Sequence, residues 1–121
     1  MAWKKLEAKE TPMLWWVWRD KIGQALEGYW VGVFDHEAKD PKDPHNIQKV
    51  KVLVVYDPTN DVYYRAFLPK RYDLSDIKPG WRVRIVAKQD KDSQRVSWSV
   101  EFNDEDIQPV EIPDEYLNIH L

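Results

Sequence analysis

The stretch "QRVSWSVEF" (94–102) does most to limit what this chain can fold into, because Val96, Trp98, Val100 and Phe102 alternate with Arg95, Ser97, Ser99 and Glu101. A period of two buries one face of a strand and cannot bury one face of a helix. The same period recurs in "WRVRIVAKQD" (81–90), where Trp81, Val83 and Ile85 oppose Arg82 and Arg84. It recurs again in "VYYRAFLP" (62–69), which sets Val62, Tyr64, Ala66 and Leu68 against Tyr63, Arg65 and Phe67. In the first half of "IQKVKVLVVYD" (47–57), Val50, Val52 and Val54 oppose Lys49 and Lys51. "LEGYWVGVF" (26–34) is rich in aromatic and β-branched residues, and its Gly28 and Gly32 suit bulges or tight bends in a strand that must curl.

Polar punctuation separates these runs. "DPTND" (57–61) and "DKDS" (90–93) read as hairpin turns, and "DHEAKDPKDPHN" (35–46) as a long, solvated, mobile loop. "KRYDLSDIKPG" (70–80), with Asp73 placed to cap it and Pro79-Gly80 to end it, predicts a short helix. At 121 residues the chain has room for one core. The expected fold is therefore all-β: a five-stranded OB-fold-like barrel over 26–103 with a short helix between the third and fourth strands. An aromatic-rich segment (1–25) precedes it and an acidic tail (104–121) follows. An SH3-like or Tudor-like barrel fits less well, since it places its helical turn later.

"ALEGYWVGVFD" followed by "DIKPGWRVRIVAKQDKDSQRVSWSVEF" resembles the OB-fold single-stranded DNA-binding proteins of phages and archaeal viruses. In that family a first strand opening on a Gly and a fourth strand introduced by a Pro-Gly turn are frequent. The likeness covers roughly residues 22–103 and rests on motifs that any OB-fold can show. It implies a non-enzymatic, sequence-tolerant binder of single-stranded nucleic acid, DNA first, with a role in DNA replication or repair. A second OB domain and a Cys-rich zinc element, present in some cellular relatives, have no counterpart here.

Ligand in an OB-fold lies across the outer face of the middle strands and between the loops at their ends. With the valines of 50–54 inward, that face would show Lys49, Lys51, Tyr63, Arg65 and Phe67, combining flat apolar rings for bases with cations for phosphates. Arg82 and Arg84 extend the basic surface, continued by Lys88, Lys91 and Arg95, and Trp30 joins the ligand face if a bulge at Gly28 or Gly32 shifts the strand's phase. The plain alternative is a solvated charged face with Arg82 or Arg84 paired to Glu101, and rings covered by the N-terminal segment. Charge is unevenly spread: residues 1–103 hold all 18 Lys and Arg with 15 of the acids, whereas 104–121 hold six acids and no base.

Catalytic and cofactor chemistry finds little material. The absence of Cys excludes a thiolate nucleophile and Cys-ligated metals, and His36, His45 and His120 lack metal-ligand spacing. No metal, cofactor or enzymatic activity is expected. The start of the sequence has no apolar leader and no run is long enough to span a bilayer, so an intracellular address without membrane contact is expected.

"LWWVW" (14–18) remains open between a helical stripe and a strand. Its uses rank as core or barrel-closing segment, then a homodimer interface through Trp15, Trp16 and Trp18, then a base-stacking platform. An assembly module built on these tryptophans, without nucleic-acid binding, is the competing function. The tail offers either a docking site for a protein partner or a strap laid on the barrel by Ile107, Val110, Ile112, Tyr116 and Leu117.

Overall fold

A computed structural model describes residues 11–40 and 42–116, apart from the side chains of Asp40 and Asp114. The chain is all-β, a curled, barrel-like sheet of six strands: β1 (Met13–Trp15), β2 (Ala25–Asp40), β3 (Asp43–Asp57), β4 (Val62–Phe67), β5 (Trp81–Gln89) and β6 (Val96–Ile107). Their order across the sheet is β1-β4-β3-β2-β5-β6. All neighbours are antiparallel except β1, which lies parallel to the edge of β4. Three hairpin-linked strands, β2 to β4, with β5 returning to lie beside β2, make a Greek key.

The concave side gathers the interior from every long strand, with Leu26, Trp30, Leu53, Ala66, Val83 and Ile85 at its centre. A second, smaller cluster sits on the convex side, where Val31, Val52 and Val54 are covered by Tyr116 and Val110 of the tail. The central strands are thus sandwiched between the barrel interior and the tail. This overturns the expected phase of β3. Leu53 and Val55 point inward while Val52 and Val54 face the tail, and all four are fully buried. A strand covered on both faces carries an unbroken apolar run, and alternation in the lysines before it does not reveal its phase.

Three further expectations are corrected. Residues 35–46 are not a loop: β2 runs to Asp40 and β3 starts at Asp43, with Pro41 itself outside the described residues. Opposite charges fall across from one another there, Asp35 beside Lys51 and Glu37 beside Lys49, so a highly charged sequence still pairs as strands. No helix forms over 70–80. Successive turns close instead, from Tyr72 N–H to Pro69, Ile77 N–H to Leu74 and Trp81 N–H to Lys78, and the Asp73 carboxylate accepts from Ser75 N–H two residues on. Leu74 and Ile77, packed on the interior, hold that run of turns against the barrel. The segment 11–22, open between helix and strand, supplies the sixth strand, β1, and then one turn of 3-10 helix at Trp18–Asp20.

Of the two glycines expected to bend the strand, Gly32 lies at a bulge, whereas Gly28 serves a close approach of strands. A Cβ on Gly28 would collide with the carbonyl of Tyr56, so only Gly allows the strands to approach there. The register of β2 against β3 shifts between Trp30 and Gly32, and Gly32 has φ +152°.

The gap between the edges β1–β4 and β6 is filled by rings. Trp18 donates Nε1–H to the Phe67 carbonyl at 3.0 Å and packs 4.3 Å from Trp98 of β6. Trp98 stacks on Tyr72 at 4.7 Å and 7°, and its N–H donates to the Tyr72 hydroxyl. Arg71 donates to the Val96 carbonyl at 2.7 Å. Part of the outer edge of β6 is thereby satisfied without another strand, which protects it from pairing with a foreign chain.

Candidate nucleic-acid interface

Beside the tail, the convex face carries a patch of rings. The parallel register of β1 on β4 sets Trp15 beside Arg65, on the side of the sheet that also bears Phe67. Trp15 stacks on Phe67 with centroids 4.9 Å apart at 24°, and His36 of β2 meets Trp15 edge-on at 5.3 Å. The Arg65 guanidinium lies 4.1 Å from the Trp15 ring centre, a cation–π contact. Trp15 is 38% and Phe67 48% exposed, which leaves aromatic surface free in a cluster that is already ordered.

Arg65 itself is committed. It bonds to Glu115 at 2.7 Å and to the Tyr116 hydroxyl at 3.0 Å. Burial opposes its charge, but the bonds to Tyr116 and Glu115 outweigh that and hold its pKa above the ordinary value. Tyr116 stacks on Phe34 at 5.0 Å and closes one wall of a cleft of about 670 Å³ that runs along Val33–Glu37 and is also lined by Lys49. Among the described residues Lys49 has no carboxylate within 4.0 Å. Lys51 is exposed but paired with Asp35, whose pKa the Lys51 ammonium lowers through a hydrogen bond and its charge.

The residues singled out from sequence are therefore dispersed. Tyr63, Arg65 and Phe67 do face outward, but Tyr63 lies under the tail and donates its hydroxyl to the Glu111 carbonyl at 3.1 Å. Lys49 and Lys51 occupy the opposite phase from Val52 and Val54 and do not join those rings on one face. Trp30 is 2% exposed in the barrel interior and cannot stack on a ligand. The bulge at Gly32 follows it and leaves its inward phase intact.

Arg82 and Arg84 point outward, yet both reach Glu27, at 3.1 and 3.5 Å. The acid that meets them is thus Glu27 on β2; Glu101 makes no pair with either. Arg82 also lies over the Tyr29 ring at 5.3 Å, and its bond to the Tyr29 hydroxyl, with help from Glu27, raises its pKa against the effect of burial.

Sequence reasoning missed Trp15 and His36 as partners of Phe67. The strand-like alternation of Leu14, Trp16 and Trp18 is the available signal, but nothing local says that a short strand here adds to β4.

The tail behaves as a strap as far as Tyr116. Val110 and Tyr116 pack on the sheet, whereas Ile107 and Ile112 remain exposed, and Leu117 and His120 lie outside the described residues. Of the tryptophans at 15, 16 and 18, only Trp15 is left open to a partner chain. Among the described residues no His, Cys, Asp or Glu cluster could hold a metal, and no helix is long and apolar enough to cross a membrane. No family model, curated protein or solved structure matches the chain.

Proposed function

We propose that the protein is a non-enzymatic, sequence-tolerant binder of single-stranded nucleic acid, DNA in the first place. The observation that carries this reading is the exposed Trp15–Phe67 stack with the Arg65 guanidinium against it. A pre-ordered aromatic platform beside cations is what unpaired bases and their phosphates require. The Greek-key strand order supports an OB-type barrel, an architecture that binds oligonucleotides across its middle strands. Arg82 and Arg84 already share Glu27 and are less available to phosphate. The competing assembly module has less to use, since Trp16 and Trp18 are taken up in the chain's own packing.

Phe67→Ala tests the platform. Its ring is half exposed, so the fold should survive, while loss of one stacked base at about 1–3 kcal/mol weakens oligo(dT) binding by roughly 5- to 150-fold. Fluorescence anisotropy with wild type and variant side by side reads this, and equal affinities would remove Phe67 from the interface.

A further inference from the structure

We infer that the phosphodiester backbone of a bound single strand leaves the Trp15–Phe67 platform along Lys70–Arg71 and crosses the ring-filled seam to the start of β6, where Arg71, Lys88 and Arg95 form a cationic track. This rests on the reading of the protein as a single-strand binder and gives the strand a direction across it.

The first support is how the cations are partnered. Arg65, Arg82, Arg84 and Lys51 are each held by a carboxylate, whereas Lys70, Arg71, Lys88 and Arg95 have none within 4.0 Å among the described residues. An exposed cation with no acid beside it is free to neutralise a phosphate and release the counterions condensed on the strand. Two of the nearby acids are occupied by their own turns. Asp73 accepts from Ser75 N–H, and Asp90 from Asp92 N–H and the Ser93 hydroxyl. Hydrogen bonds from the Ser75 side chain and N–H lower the pKa of Asp73, and those from Asp92 N–H and the Ser93 hydroxyl lower that of Asp90, so both carboxylates stay tied to their own turns.

The second support is geometry. Arg71 is fixed in place, bonded to the Val96 carbonyl and lying 5.1 Å over the Tyr72 ring, which is itself stacked on Trp98. A guanidinium has five N–H donors, and the described bond to protein uses one of them. Arg95 adjoins Val96 in sequence, and Lys88 stands opposite Ser97 in the β5–β6 ladder, so three cations are carried at or beside the first residues of β6. The path back to Phe67 is short, since four residues span at most about 14 Å. Trp18 joins its two ends, bonded to the Phe67 carbonyl and packed on Trp98.

The test measures oligo(dT) affinity against salt for the whole chain, for the triple variant Lys70→Gln/Lys88→Gln/Arg95→Gln, for Phe67→Ala and for Lys78→Gln. Lys78 is an exposed lysine at the far end of β5 and controls for a simple loss of charge. Each lost phosphate contact lowers the slope of log K against log salt by about 0.7, so the triple variant should lose about 2 while Lys78→Gln keeps the wild-type slope. Near-UV circular dichroism checks the fold, and if the triple variant is perturbed, Lys88→Gln alone should still lose about 0.7. If wild type binds, Phe67→Ala weakens it and the triple variant keeps its slope, the track is wrong and the single-strand reading stands. An equal drop in slope for Lys78→Gln also overturns the track. If wild type binds no oligo(dT), the function itself falls, and the track with it.

Discussion

Trp15, Trp16 and Trp18 fall within four consecutive positions and end in three environments. Trp16 is 8% exposed inside the barrel, Trp18 lies across the seam against Trp98, and Trp15 is open on the convex face. Their substitutions should separate accordingly in urea unfolding. Trp16→Ala should cost about 3–5 kcal/mol and Trp18→Ala somewhat less, whereas Trp15→Ala should change stability little and show its effect in binding. A second residue-scale expectation concerns Tyr56, whose hydroxyl donates to Asp61 at 2.7 Å. That bond, followed by burial, raises its pKa from 10.0 to about 12. Because the folded value is the higher one, the contribution is complete below pH 10 and is lost as pH climbs from 10 toward 12. Absorbance titration of tyrosinate should find Tyr56 among the late-titrating groups, with Tyr116, which burial also raises, and Asp61→Ala should return the Tyr56 component toward 10. If Asp61→Ala leaves the titration curve unchanged, the Asp61 bond is not its cause.

At the scale of elements, legibility followed the number of covered faces. β5 alternates cleanly because one side meets the core and the other meets water, and the outer side of β4 alternates too because its Tyr63 and Arg65 meet the tail through polar bonds, so Tyr63, Arg65, Phe67, Arg82 and Arg84 are placed outward from sequence alone. The phase of β3 was hidden because the tail covers its second face. The extended β2–β3 hairpin was hidden because its strand residues are charged and stabilise one another across the ladder, as Lys51 and Asp35 do. A helix was expected at 70–80 because Asp73 and Pro79-Gly80 look like its two ends. In the structure Asp73 closes a single turn, and Arg71 and Tyr72 are held by β6 instead. The candidate site was half legible for a related reason: strand phase is a local property, whereas the pairing of Arg65 with Glu115 joins positions 50 apart.

On the scale of the whole molecule, the uneven charge of the sequence acquires a place. The acidic tail lies along the convex face as far as Tyr116 and neutralises Arg65 there, while Arg71, Lys88 and Arg95, near the start of β6, have no carboxylate within 4.0 Å among the described residues. The central claim is that this arrangement, with its exposed aromatic stack, binds single strands. Its most direct test is anisotropy of a labelled oligo(dT) of about 30 nucleotides, at low and moderate salt, with unlabelled duplex DNA as competitor. Binding that salt weakens steeply and duplex does not displace is the expected result. No binding even at low salt, or displacement by duplex as readily as by single strand, would contradict it.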